Sequence, residues 1–335
     1  DGKDVLLALV SGQLFRIDPH DLTVLDVTPL SGGTIDPNSP VAQEAWLQQA
    51  EEFAIVQNNL DAAMIFDGSS TRRAERNKRE VPCGNVMTYG LGRLWVALPD
   101  RRSFVASDLV YGPEGTARYG RRDAILSFTE NDYLNEGGAF GVPAQFGDIT
   151  AMAPIANLDT SLGQGPLQTF TERGSFSVNA PFDRTTWKNL TWPIQTVSTS
   201  SRGPLGARSV VPVNGDLWFR AADGLRTFQV ARRDFGSWIN TPVSHEMDRV
   251  VAEDDVTLLG AAAGVVFDNR LLMTCGPQFL ADHGIYHLGL IALNLDDVSG
   301  LTERSTPAYD GVWTGLRILQ ILAGDYRGTP RCFMF

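Results

Sequence analysis

The run Gly92-Arg93-Leu94-Trp95-Val96-Ala97 has a counterpart in Gly215-Asp216-Leu217-Trp218-Phe219. Each follows an apolar run and a tight turn. Val86-Met87-Thr88-Tyr89 turns at Gly90-Leu91-Gly92, and Ser209-Val210-Val211-Pro212-Val213 turns at Asn214-Gly215, the strongest short hairpin signal. The recurring unit is therefore an apolar strand, a Gly, Asn or Asp turn, and a strand of the form Gly-x-Leu-Trp-apolar. Trp95 and Trp218 hold the same slot in that unit, which makes both expected core anchors.

Outward from these two copies the pattern repeats along the chain. Residues 5–10 and 13–17 flank Ser11-Gly12, and 22–27 follow across Asp18-Pro19-His20-Asp21, giving a three-stranded meander. Residues 52–57 turn at Asn58-Asn59-Leu60-Asp61 into 62–67, with Thr71-Arg72-Arg73-Ala74 next. Later copies are 263–267 with 270–274 around Asp268-Asn269, and 311–322 with 330–335 around Ala323-Gly324-Asp325; a weaker one spans 149–176. Central turns fall near Gly12, Asp61, Gly92, Gly165, Gly215, Asn269 and Gly324, at steps averaging about 50 residues. One sheet of this kind cannot bury both faces alone, and radial stacking of sheets can. The expected fold is all-β: one β-propeller domain over 1–335, of six or seven blades, with loop insertions near 71–80 and 111–147.

Two or three short helices are expected between the blades. Residues 41–50 follow Pro40 and carry good helix formers; residues 244–251 follow Pro242 with Ser244 as N-cap. Residues 128–134 read as a helical turn capped by Thr129.

Composition agrees with a globular β-rich chain. The 335 residues are 43% hydrophobic and 20% charged, enough for a sizeable core, and 33 glycines with 18 prolines work against long helices. The balance of 28 basic and 39 acidic residues, net −11, argues against a surface built to grip nucleic acid. No apolar run approaches the roughly 20 residues of a membrane-spanning helix. Cys83, Cys275 and Cys332 are odd in number and far apart, which fits folding in a reducing cytoplasm better than a disulfide framework. The opening Asp1-Gly2-Lys3-Asp4 carries no secretory signal.

No catalytic motif emerges. Cys275, His283 and His287 contain metal-binding residue types, but positions four apart in a strand are about 13 Å apart, so a structural role is favoured. Glu253-Asp254-Asp255 and Asp296-Asp297 lack calcium-loop spacing and read as solvated turns. No Gly-x-Ser-x-Gly elbow, sialidase-type Asp box or WD40 spacing is present. No catalytic, cofactor-binding or metal residue is assigned, and no cofactor is expected. The one basic concentration, residues 72–80, holds Arg72, Arg73, Arg76, Lys78 and Arg79 against Glu75 and Glu80. No aromatic residue is interleaved there, so these five residues are a candidate electrostatic dock for an acidic protein partner rather than a base-stacking platform. A second basic group is Arg118, Arg121 and Arg122.

Several segments resemble the tail nozzle (hub) proteins of short-tailed bacteriophages. They are Gly92 to Ala97 followed by Val105-Ala106-Ser107-Asp108-Leu109, Ser209 to Val230 leading to Pro242 to Met247, and the hairpin Ala263 to Leu272. The resemblance covers roughly residues 50 to 335 and rests on degenerate strand patterns. It implies a structural virion protein and no enzyme: a propeller subunit in a homo-oligomeric ring, a hexamer in the family, below the portal and adaptor. Such a ring forms part of the genome-ejection channel, with DNA in transient passage. Adjacent tail proteins, including adaptor and fibre or spike, would be its partners. The implied location is the virion tail, after synthesis in the bacterial host cytoplasm. The rival reading is a carbohydrate-binding or glycan-cleaving propeller, which needs carboxylates converging at one mouth.

Overall fold

A computed structural model describes residues 4–32, 34, 44–108, 122–128, 139–155, 165–180, 187, 194–198, 202–228, 242–244, 247–281, 284–296 and 308–335. These residues form seven antiparallel sheets, each a meander of consecutive strands. The first is β1 (Leu6–Val10), β2 (Gln13–Ile17) and β3 (Val24–Asp26); the second is β4 (Trp46–Ala50), β5 (Phe53–Gln57), β6 (Met64–Phe66) and β7 (Thr71–Arg73). The third is β8 (Met87–Gly90), β9 (Arg93–Ala97), β10 (Ser103–Ala106) and β11 (Ala139–Gly141). The fourth is β12 (Ile149–Pro154), β13 (Leu167–Thr171), β14 (Gly174–Val178) and β15 (Ile194–Ser198). The fifth is β16 (Val211–Val213), β17 (Asp216–Ala221) and β18 (Gly224–Thr227). The sixth has longer strands, β19 (Gly264–Phe267), β20 (Arg270–Leu280), β21 (Gly284–Asn294) and β22 (Tyr309–Ile318), and β23 (Ile321–Tyr326) with β24 (Thr329–Met334) ends the series. A succession of short sequential meanders is the blade pattern of a β-propeller.

The hairpins join at left-handed turns. Ser11 and Gly12, Leu91 and Gly92, Asn214 and Gly215, Asp268 and Asn269, and Arg327 and Gly328 all have positive φ, the requirement of a two-residue turn that matches strand twist. Gly, Asn and Asp are cheap there; Leu91 and Arg327 are held by the ladders they join.

Two sequence expectations are corrected by these ladders. Residues 46–50 are strand, not helix: β4 pairs with β5 from Trp46↔Gln57 to Ala50↔Phe53, turning at Glu51 with φ 53. Weak helix propensity yields to a sheet that buries Ala50 and Ile55. The final turn lies at Arg327-Gly328, because Ala323-Gly324-Asp325 pairs with Cys332, Arg331 and Pro330 inside the hairpin. The helix expected over 244–251 is reduced to one turn, Asp248–Val251, and the Ser244 hydroxyl accepts the Leu225 amide at 2.9 Å instead of capping it. The helical turn expected at 129–134 lies outside the described residues.

The chain divides into two compact units. In the first (Asp1–Pro154, Pro166–Gln168, Ser177–Gln195), the first strands β4, β8 and β12 neighbour one another, as the inner strands of successive blades do. Its main core gathers Ile55, Ile65, Val81, Leu94, Val96, Ile125 and Phe128; a smaller core seats Leu14 on Val56, Met64 and Phe66. Trp95 is fully buried, stacks on Trp187 at 5.8 Å, meets Phe104 and Phe140, and donates its Nε1–H to the Gly90 carbonyl at 3.0 Å. In the second (Ile155–Gly165, Thr169–Phe176, Thr196–Phe335), β16 neighbours β19, and Trp218 is buried among Val211, Leu225, Leu271, Met273 and Ile291. Both tryptophans are thus the core anchors their shared slot predicts.

Candidate docking surface

The basic segment begins on β7, an edge strand paired only with β6 (Thr71↔Phe66, Arg72↔Ile65, Arg73↔Met64). It continues through the 3-10 turn Arg76–Lys78 and closes on Arg79, whose φ of 57 lets its amide bond the Arg76 carbonyl. The five predicted residues are brought together here, and they take three different roles.

Arg72 forms a two-pronged pair with Glu80, at 2.6 and 2.8 Å, and Glu80 also accepts the Glu75 amide at 2.8 Å. Burial alone would raise the Glu80 carboxyl; the Arg72 fork and the Glu75 amide outweigh it and hold the group below its usual range. The same fork raises Arg72 above its ordinary value. Lys78 pairs with Glu75 at 2.8 Å. Arg73 turns the other way, donating to the carbonyls of Ala62 (2.7 Å), Thr34 (2.8 Å) and Gly32 (3.2 Å), so it ties backbone segments and faces no partner. Arg76 and Arg79 stand exposed on the outer side of the turn. The two glutamates therefore spend Arg72 and Lys78 locally, and the outward positive charge comes chiefly from Arg76 and Arg79.

The second insertion meets the first. Ser127 bridges Glu80, the Phe128 amide donates to the Arg79 carbonyl at 2.8 Å, and Ile125, Leu126 and Phe128 enter the main core. Farther on, residues 139–141 form β11, the fourth strand of the third sheet, so this stretch completes a blade as well as projecting from it. Arg118 and Arg121 lie outside the described residues. What joins the insertions is backbone pairing across 47 positions of sequence, which no local pattern announces.

The residues weighed for metal binding are structural where they are described. His287 is buried with Nδ1 3.4 Å from the Ile318 carbonyl, and burial lowers its pKa. Cys275 is buried and its thiol is pushed up to about 11, by burial first and then by the Asp254 carboxylate. His283 lies outside the described residues. Among the described residues no three His, Cys, Asp or Glu side chains converge as a metal site requires. Of the acidic residues, Asp254 is buried: it pairs with the buried Arg220 at 2.9 Å and accepts the Gly276 amide at 2.7 Å. Sequence reading took it for a solvated turn. The signal was Arg220 itself, an arginine in an otherwise apolar blade strand. Arg93 repeats the theme in the first unit, buried with Nη1 on the Ser107 carbonyl at 2.8 Å and its guanidinium 5.0 Å from the Trp187 ring centre.

No family model matches the chain, and no curated protein sequence matches it. Solved structures with some likeness include the extracellular domain of the putative hybrid two component system BT4673 from B. thetaiotaomicron, at TM-score 0.47 and 10% identity over 95% of this chain. This chain spans 41% of that one. BBS1N, from its complex with ARL6DN, gives TM-score 0.47 and 10% identity, covering 100% of this chain and 84% of its own. BamB from Moraxella catarrhalis gives 0.41 and 10%, covering 95% and 75%. Likenesses this distant bear on neither function nor partners. No described helix is long and apolar enough to cross a membrane.

Proposed function

We propose that the chain acts by assembly, as a ring-forming nozzle or hub subunit of a phage tail that lines part of the genome-ejection channel below the portal and adaptor. The observation that carries this reading is the set of nozzle-like segments. They fall on β9 and β10, on β16 to β18, and on the hairpin of β19 and β20, so they coincide with whole blade strands. A stiff β platform with insertions laced to it can present contact surfaces to neighbours without disturbing its blades. Arg76 and Arg79, with Arg72, Arg73 and Lys78 behind them, would then orient an acidic neighbour and speed its capture more than hold it. The partners are further copies of this chain and adjacent tail proteins; the place of action is the virion tail.

Reversing the sign of Arg76 and Arg79 tests the dock without touching the Arg72–Glu80 or Arg73 contacts. Tail attachment of the reversed chain should weaken, and weaken further with salt, while its circular dichroism stays that of the wild type. Normal attachment at low and moderate salt would remove the docking role. A wild-type chain absent from purified virions that turns over a glycan would replace the structural reading with the carbohydrate one.

A further inference from the structure

Blade stacking leaves two sheet faces open, one at each end of the series. In the first sheet, register places Leu6, Ala8, Phe15, Ile17, Val24 and Asp26 on one face, through Leu6↔Ile17↔Val24 and Ala8↔Phe15↔Asp26. None of the six is buried, and Val24 is 58% exposed. The opposite face, with Leu7, Leu9 and Leu14, packs on Val56, Met64 and Phe66. In the last hairpin, register places Leu322, Phe333, Tyr326 and Arg331 together, through Leu322↔Phe333, Gly324↔Arg331 and Tyr326↔Thr329. None of these is buried either. The opposite face supplies Ile321 and Cys332 to the core around Leu272, Leu290 and Ala292.

The two open faces differ in charge. On the first sheet the ionised group is Asp26, with Asp21 exposed at the turn into β3; accepted hydrogen bonds, from Thr28 and Thr23 respectively, hold both carboxyls below their usual range. On the last hairpin the ionised groups are Arg331 and, at the turn, Arg327, whose guanidinium lies 5.3 Å from the Tyr326 ring centre. Asp325 sits on the covered side, paired with Pro330. An apolar face edged with carboxylates and an apolar face edged with guanidiniums, each uncovered in a single chain, are complementary to each other and not to themselves.

We infer that the open face of the first sheet docks on the open face of the last hairpin in a second copy of this chain. Two unlike patches on one subunit make a heterologous, head-to-tail contact, which closes into a ring when the rotation allows and grows open-ended when it does not. A self-complementary dimer would need one patch only. The inference deepens the proposed function, since ring closure by this contact rests on the nozzle reading, whereas the contact itself does not.

Two charge-reversed chains test it: Asp21→Arg with Asp26→Arg, and Arg327→Glu with Arg331→Glu. Each keeps one native face and spoils the other, so each alone should self-associate at least about tenfold more weakly than wild type by mass photometry. Mixed in equal amounts, they restore matched charges at every contact, and assembly should recover. Recovery also shows that both chains are folded, although Asp26→Arg removes the bond to the Thr28 amide. Variants that assemble like wild type, or a mixture that stays as weak as its parts, overturn the inference. A chain carrying Val24→Cys and Leu322→Cys supplies the second arm. Oxidation should give ladders of linked chains on a non-reducing gel, and a link formed within single chains would mean that the faces close on each other intramolecularly, against the inference. Wild-type rings that persist through charge reversal leave the nozzle reading intact and sink only this contact. Head-to-tail association in a chain that no virion contains does the reverse.

Discussion

The third sheet and the first are built from the same kind of sequence and end in opposite environments. Every residue of β9 is buried, while every residue of β3 is exposed. In the third sheet, Arg93, Trp95, Ala97, Phe104, Ala106 and Phe140 share a face by register, and Trp187 covers it. The other face, with Leu94 and Val96, meets Val81, Ile125, Leu126 and Phe128. The first sheet is covered on one side alone. Alternation of apolar residues therefore specifies a strand and its two faces, and what decides burial is the arrival of a neighbour. Where both neighbours are present, packing supplies stability; where one is missing, the same chemistry becomes a surface for association.

The contrast is broken most severely at its best-covered point. Trp95→Ala should cost about 3–5 kcal/mol in chemical denaturation, because it empties an aromatic cluster and orphans the Gly90 carbonyl. Val24→Ala on the open face should change the stability of the single chain by less than about 0.5 kcal/mol while weakening self-association. Equal effects at the two positions would abolish the distinction. Of similar size is Asp254→Ala, which leaves Arg220 charged and unpaired in the second unit and should cost about 3–5 kcal/mol. A near-neutral result would mean that Arg220 finds water.

Backbone closeness in the third sheet gives a smaller effect. A Cβ on Gly84 would stand 2.3 Å from the Ala97 carbonyl oxygen and 2.6 Å from a Val96 methyl, so Gly84→Ala should cost about 1–3 kcal/mol by thermal melting. The open positions Gly68, Gly311 and Gly328 meet nothing within 4 Å, and the penalty there is limited to their left-handed backbone.

Smaller again is the pH dependence of turns at sheet edges. Burial would raise the Asp67 carboxyl, but the Ser70 and Ser69 amides and hydroxyls donate to it and bring it down to about 2. A depressed carboxylate stabilises the fold above its unfolded value of 3.8, and that contribution is lost as pH falls through about 2. Solvent screening at this exposed turn reduces it to about 1 kcal/mol. Asp67→Ala should lose that amount at pH 7 and converge with wild type near pH 2. Buried His287 follows the same sign over a higher window: with its folded pKa below the ordinary 6.5, its contribution is present above that value and declines as pH drops beneath it. The least effect belongs to the docking loop, where Lys78→Ala removes an exposed pair and should shift stability by less than about 0.5 kcal/mol.

Much of this architecture was legible from turn chemistry. Ser11-Gly12, Leu91-Gly92, Asn214-Gly215 and Asp268-Asn269 mark hairpins because few residues tolerate their backbone angles, and each lies where the sequence placed it. Residues 46–50 misled because Leu, Gln and Ala favour helix locally, and only pairing with Phe53 to Gln57 makes them strand. The final hairpin misled through Gly324, which reads as a turn yet sits in a ladder with its missing Cβ near the Phe333 ring. At the candidate site, clustering of Arg72 to Arg79 was visible and its division of labour was not. Which arginine meets Glu80, which ties Gly32 and Thr34, and which stays outward depends on the alternation of β7 and the αL turn at Arg79.

The most direct test of assembly as the function is particle imaging of the purified wild-type chain at micromolar concentration. The account predicts closed rings with a central opening, in equilibrium with single chains. A field of single chains alone, unchanged across concentration and salt, would contradict it.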